Sequence, residues 1–571
     1  AIGLADSRQA VRSLIAIMRR QSIALLVAPL IACGHLAAQV EIGPGAMRDL
    51  AIEHLYRPGI DIQSYDFSID LPTTGNVMHG YAVLEVRHTT RVDTLVLDLV
   101  QLTVDSVRLD GSVVPFTRPQ NEVHIPFRAN GKNLVRVEVA YHGAVDDGLI
   151  VRTDSAGRWT GFGDNWPNRA RYWLPSVDHP SDKATVSWSV SAPPARTVVA
   201  NGVMIDKTTL ADGRVRTRWR ESHPIAVYLM VIAAAPLSEY SLGETACGFG
   251  PNRGCVRQYV YTAPEQRPTL PGAFAQAGEI VKYFASLVGP FPYEKLAHLQ
   301  SATRFGGMEN ATAIFYADAA FRTGRMNEGL IAHETAHQWF GDAVTEREWS
   351  HLWLSEGFAT YFAALFARHA HGDSTFVAQM AQIRRTVLSD AESVPTHPVI
   401  DTTQRDLLAL LNTNSYQKGG FVLHMLRRQV GDSVFFGALR AYYAAYRDGT
   451  ALTDDLRVAM EQASGQKLGW FFDQWLRKPG FPEIDVTWSS DPSSQQVMLD
   501  ITQGTRYGAY RFPLTVELRG PAGAARRETV LVPAETHVQL KLPLGTKTFA
   551  PTMMTVDPDV ELLARIDVHS R

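Results

Sequence analysis

The stretch LIAHETAHQWFGD, residues 330–342, sets two histidines four positions apart, with a glutamate directly after the first. Residues four apart on a helix share a face, so His333 and His337 point the same way and their imidazoles can hold one metal ion. Glu334 lies one step round from His333. It is near such an ion without being forced to ligate it, and can take a proton from a water bound there. Three fixed positions alone are moderate evidence, and two surface histidines are the bland alternative.

The following stretch, SHLWLSEGFATYFAALFARHAHG, decides between them. Its Glu356 could reach the same ion if two antiparallel helices were joined by the DAVTEREW connection. Two histidines and one glutamate leave a fourth position for water, as a catalytic zinc requires, whereas a structural zinc is closed and usually bound by cysteines. None is nearby. The chemistry implied is metal-assisted hydrolysis with one Zn2+ per chain.

Elements must place these groups. The spacing predicts a helix from Met326 to Phe340 stopped by Gly341, and another from a Ser350 cap to Gly372. Helical texture extends from about 268 to 478, with further segments at 375–390, 415–430, 434–446 and 454–476. Before it, residues 60 to 240 alternate with period two. Tyr65, Phe67, Ile69 and Leu71 lie on one face, and turn signals such as Asp110-Gly111 separate the runs. After KPGFPEI the alternation returns, in Val497, Leu499, Ile501 and then Leu514, Val516, Leu518. The expected order is an N-terminal antiparallel β domain (45–240), a mostly α catalytic domain (241–481) and a C-terminal β-sandwich (482–571).

Here the chain resembles the gluzincin zinc aminopeptidases, relatives of aminopeptidase N and leukotriene A hydrolase. HETAHQWFGD matches that family's zinc helix and LWLSEGFATYF its second zinc helix. GGMEN, Gly306 to Asn310, matches its G-x-M-E-N exopeptidase signature, and SYQKGG its Tyr-x-Lys-Gly segment. The resemblance implies a multidomain α+β fold with a thermolysin-like catalytic domain. It implies zinc held by His333, His337 and Glu356, with Glu334 as the catalytic base. The Tyr416 hydroxyl would then donate a hydrogen bond to the tetrahedral intermediate. Gly306, Gly307, Met308, Glu309 and Asn310 would bind substrate along a strand edge. A free α-amino group has a pKa near 8 and is largely charged at neutral pH, so Glu309 would hold that ammonium. Peptides with a free N-terminus are the implied substrates.

One segment departs from the pattern. The family places a second Glu or Gln on the β domain to grip the amine, ahead of an Arg…Pro…Asp…Pro run. In DNWPNRARYWLPSVDHP that run is Arg171, Pro175, Asp178 and Pro180, which puts Trp166 where the acid or amide should stand. The expectation is that Asp164 or Asn165 takes over the amine and Trp166 lines the first side-chain pocket. The alternative is Trp166 as packing between domains. Large relatives also carry a C-terminal helical domain over the site. This chain stops after the sandwich, which implies a more open site that accepts longer peptides, without leukotriene A hydrolase's basic grip on the substrate carboxylate.

The whole chain sets the context. It has 571 residues, 45% hydrophobic and 20% charged, with a formal net charge of −3. That balance offers no basic stripe for nucleic acid. Met18-Arg19-Arg20 followed by SIALLVAPLIACGHLAAQ has the pattern of a secretory signal, expected at 18–38, with 1–17 an over-extended start. LIAC resembles a lipoprotein box, which would make Cys33 a lipid anchor, the one membrane attachment expected; cleavage after Ala38 is the alternative. Either reading means export to the periplasm or beyond. In such a compartment Cys247 and Cys255, close together in CGFGPNRGC, read as a disulfide. The rival functions are a zinc endopeptidase, and a peptide-binding surface protein with a dead site.

Overall fold

Phe67 and Ile69 are buried in the first strand, with Leu71 just beyond it, because period-two alternation turns every second side chain to one sheet face. The computed structural model describes residues 57–127, 133–154, 156–246, 255–323, 326–491, 495–520, 523–544 and 549–571. The expected signal segment with Cys33 lies outside them. So does the expected Cys247–Cys255 pairing, since of Cys255 only the backbone is described.

The first domain is built on an eight-stranded sheet. In spatial order its strands are 203–209, 215–226, 183–192, 60–70, 77–88, 134–144, 103–109 and 112–114. All neighbours run antiparallel except 60–70 with 183–192, which are parallel and pair Phe67 with Trp188. The domain is antiparallel, as expected, apart from that one pair. A four-stranded sheet of 197–200, 232–235, 159–163 and 149–153 completes the layer facing the catalytic domain.

The catalytic domain opens with the strand Ser238–Ala246, which joins a five-stranded sheet. The order is 238–246, 255–262, 295–301, 313–317 and 307–308, the three middle strands being parallel. The mostly α reading missed this sheet for a physical reason. Lys295–Ser301 is buried at every residue, so it shows no alternation. Helices Ala277–Val288, Glu328–His337, Trp353–His371, Asp373–Ser389, Gly419–Val430 and Asp432–Tyr446 pack around it. The expected helix 454–476 is two, Thr453–Ser464 and Gly469–Leu476, split at Gly465 in a left-handed conformation.

The last domain is a sandwich of four strands (537–543, 496–503, 483–491, 565–570) on three (525–532, 512–519, 553–556). Val497, Leu499, Ile501, Leu514, Val516 and Leu518 all enter its core, as the alternation predicts. No helix among the described residues is long and apolar enough to cross a membrane.

Candidate active site

The histidine helix is shorter than its spacing suggests. It runs from Glu328 to His337, with the Asn327 side chain accepting from the Leu330 amide as a cap. Beyond His337 the chain widens: the amides of Asp342, Ala343 and Val344 reach back five residues to His337, Gln338 and Trp339. The second helix starts at Trp353 after a short turn at 349–351 and stops at Gly372. Glu356 therefore lies in its first turn, facing the end of the histidine helix.

The three side chains converge. Nε2 of His333 and Nε2 of His337 are 3.2 Å apart, and Oε2 of Glu356 is 3.2 Å from the first and 3.4 Å from the second. Ligands about 2.0–2.2 Å from a tetrahedral zinc stand roughly 3.3–3.5 Å apart, so the triangle fits that ion. The second shell supports it. Nδ1 of His337 lies 2.9 Å from the Ser355 hydroxyl and 3.2 Å from the Phe340 carbonyl. A proton on Nδ1 leaves the Nε2 lone pair free for the metal.

The electrostatics also call for a cation. Burial works against a charge on His337, yet Glu356, Glu309 and Glu334 around it outweigh burial and raise its pKa well above the ordinary value. Burial would likewise raise Glu356, but His337 and His333 hold it down. Burial raises Glu334, with Glu309 and Glu356 adding to the effect. Ligand atoms of Glu309, Glu334 and His337 lie within 4.8 Å of one another, which sets two more acids beside the zinc triangle.

GGMEN is where the resemblance implies. Gly307–Met308 is the edge strand of the five-stranded sheet, pairing Gly307 with Tyr316 and Met308 with Phe315. Its other edge pairs with no strand among the described residues. A Cβ on Gly307 would sit 2.0 Å from Oε1 of Glu334, so only glycine lets the base lie there. Gly306 has open space around it, and Met308, Glu309 and Asn310 are buried. Neither amide atom of Asn310 has a hydrogen-bond partner among the described residues.

Tyr416 lies in a π-helical turn, Asn414–Lys418, a feature frequent at functional sites. Its hydroxyl donates to Oε1 of Glu356 at 2.8 Å. The turn gets this close because glycines meet across two helices. A Cβ on Gly357 would be 2.9 Å from the Gly419 carbonyl carbon.

Around Trp166 the side chains expected to meet the amine have protein partners of their own. Asp164 is buried with its carboxylate 2.9 Å from Nη2 of Arg169 and 3.5 Å from Nε of Arg304. Asn165 donates to the Met230 carbonyl at 2.6 Å and accepts from Nε1 of Trp173 at 2.8 Å. Asp164 is thus paired with arginines of both domains, and Asn165 is bonded within the β domain. Trp166 packs edge-on against Phe305 and Trp349, bridging the β domain to the catalytic domain.

Three positioning residues were not legible in the sequence. Nε2 of Gln338 donates to the Glu309 carbonyl at 2.8 Å, while its Oε1 accepts from the Thr312 amide at 2.9 Å. Gln338 thus ties GGMEN to the end of the zinc helix. Asn201 of the β domain donates to the Ala311 carbonyl at 2.7 Å. Ser355 orients His337 as described. Gln338 and Ser355 adjoin metal ligands in sequence, which was the one available signal.

Comparison with known proteins agrees with this geometry. The model of the peptidase M1 N-terminal domain matches residues 62–229, and that of the peptidase family M1 domain matches 273–475. A probable aminopeptidase 2 of Sulfurisphaera tokodaii is 26% identical over 484 residues, covering 81% of this chain and 59% of its own length. The chain spans about half the length of the curated relatives it matches. An M1 zinc metallopeptidase mutant of Deinococcus radiodurans, bound to Tyr-Ser-Ala, superposes with a TM-score of 0.63 at 24% identity, over 73% of this chain and 94% of that one. Aminopeptidase A of Legionella pneumophila, in complex with aspartic acid, gives 0.77 at 18% identity, over 90% of this chain and 60% of its own. At these identities the two structures share the fold.

Proposed function

The chain belongs to peptidase family M1, and on that premise we propose that it is a zinc aminopeptidase that removes N-terminal residues from peptides. The observation that carries this reading is the buried carboxylate of Glu309, set against Glu334 and His337. A fixed acid beside the metal triangle selects a substrate whose cleavable bond adjoins a positive charge. An endopeptidase has no use for it.

His333, His337 and Glu356 would hold a zinc ion, which would supply Lewis-acid polarisation of the scissile carbonyl and a lowered pKa for the attacking water. Glu334 takes the proton as that water attacks, then delivers it to the leaving amine. The Tyr416 hydroxyl donates to the substrate carbonyl oxygen as it gains negative charge, a contribution of about 3 kcal/mol for one such donor. Glu309 holds the α-ammonium, and the free edge of Gly307–Met308 aligns the peptide backbone. The dead-site alternative calls for a lost ligand or base, whereas the sequence carries His333, Glu334, His337, Glu356 and Tyr416.

The test is a pair of substrates differing by an N-terminal acetyl group. The free peptide should be cleaved at least a hundredfold faster; equal rates would turn the reading to an endopeptidase. Export is part of the same proposal, supported by the basic and apolar pattern of residues 18–38. Sequencing the N-terminus of the protein recovered from cells tests it: retention of residue 18 contradicts export.

A further inference from the structure

The wide turn after the histidine helix is bonded on two sides. Its amides, at Asp342, Ala343 and Val344, point back to the carbonyls of the helix end. Three consecutive carbonyls of the same turn accept from side chains of the β domain. The Tyr228 hydroxyl donates to the Gly341 carbonyl at 3.2 Å. Nζ of Lys183 donates to the carbonyls of Asp342 and Ala343 at 2.8 and 2.9 Å. Its third N–H goes to the Gly449 carbonyl at 3.1 Å. Gly449 opens the short strand Gly449–Ala451, which pairs in parallel with Val344–Glu346. Lys183 itself opens the strand Lys183–Ala192 of the eight-stranded sheet, and Tyr228 is buried in the turn Val227–Leu229. One ammonium therefore ties the turn and the strand beside it to the β domain.

The turn in question touches a metal ligand. Its Phe340 carbonyl lies 3.2 Å from Nδ1 of His337, on the side of the ring away from the triangle. Gly341 has φ +118°, and a Cβ on it would lie 2.4 Å from Oγ of Ser355 and 3.2 Å from Nδ1 of His337. The backbone thus passes close against both His337 and the hydroxyl that orients it. Groups behind a metal-bound imidazole fix its tautomer and direction, and their loss weakens the metal. A turn that loses its outer three bonds can shift, and the Phe340 carbonyl moves with it.

We propose that Lys183 and Tyr228 are positioning residues for the metal site: from the β domain they hold the turn that orients His337, so that zinc affinity depends on how the two domains dock. The inference rests on the zinc reading of His333, His337 and Glu356 and adds to it a contribution from outside the catalytic domain.

The test compares three single variants of the full chain. Lys183→Met removes three donors and keeps an apolar stem. Tyr228→Phe removes one hydroxyl. Lys295→Met is the control. Its Nζ donates to the Ala200 carbonyl at 2.8 Å across the same domain boundary, and no hydrogen bond of it among the described residues reaches the turn. Zinc affinity is measured by competition with a chromophoric chelator, the ligand field by the visible spectrum of the Co2+-loaded protein, and stability by thermal unfolding of the metal-free protein. Lys183→Met should bind zinc about 10–100-fold more weakly, the usual range for a lost contact behind a ligand. Tyr228→Phe should bind it at least threefold more weakly, and the cobalt bands of both should shift. Lys295→Met should lower the unfolding midpoint while keeping the parent's zinc affinity and cobalt spectrum. Parental zinc affinity and spectrum in Tyr228→Phe and in Lys183→Met overturn the inference, as does an equal loss of zinc in Lys295→Met. If Lys183→Met does not fold, Tyr228→Phe against Lys295→Met decides alone. A parent that takes up no zinc overturns the zinc reading itself.

Discussion

The hydroxyl of Tyr416 donates to Oε1 of Glu356 while Oε2 of the same carboxylate faces both histidines. One carboxylate thus joins the metal triangle to the group that would meet the developing negative charge. The ring of Tyr416 lies nearly parallel to that of His333, with centroids 6.1 Å apart.

Tyr416→Phe removes that donor and little else. We expect kcat to fall roughly 10²–10³-fold with KM within a few-fold of the parent. Steady-state kinetics and zinc analysis of the variant check this together. A kcat within threefold of the parent would deny Tyr416 a role in the chemistry.

Gly307→Ala places a methyl group where Oε1 of Glu334 now sits. The base must move or the edge strand must shift, and a misplacement of about 1 Å can cost about 10²-fold in rate. The expected result is a hundredfold loss in kcat/KM with zinc still bound. Gly306→Ala is the control: its Cβ meets open space, and its effect should be far smaller.

Removal of zinc with a chelator should abolish hydrolysis and lower the thermal midpoint, because the ion binds only the folded triangle. Ser355→Ala should weaken zinc affinity by about 10–100-fold by releasing Nδ1 of His337. Activity that survives exhaustive chelation would remove the metal from the mechanism.

Asp182 tests the electrostatics of the β domain apart from the active site. It is buried, its Oδ1 accepts from the Ile62 amide at 3.2 Å, and burial pushes its pKa up to about 8. A raised carboxyl binds its proton more tightly in the fold. Its contribution is fully present below the unfolded pKa of about 4 and is lost as pH rises through about 8. Asp182→Asn mimics the protonated form. It should match the parent near pH 4 and exceed it at pH 8–9 by a few kcal/mol, of order 2–5. Urea midpoints of both proteins across that range decide it; a constant difference would mean Asp182 stays ionised in the fold.

Much of this was legible in the sequence, for reasons local to the chain. His333 and His337 share a helical face by spacing alone, and period-two runs such as Tyr65, Phe67 and Ile69 mark their strands. Gly372 ended its helix where expected, because a left-handed residue is easiest for glycine. Boundaries were less legible. Trp339 and Phe340 continue the helical pattern in sequence, yet the backbone widens after His337 to bring Asp342 and Val344 back under it. Lys295–Ser301 gave no strand signal because both its faces are covered.

Sequence by itself determined which groups could hold zinc and move a proton, since those depend on residue type and on spacing within single elements. Tertiary structure decided what distant groups do to one another. It paired Asp164 with Arg169 and Arg304, bonded Asn165 to Met230 and Trp173, and set Gln338 against GGMEN. Such assignments depend on which donors are already used across domain boundaries. Hydrogen bonds saturate, and no local pattern records which neighbour reaches a donor first.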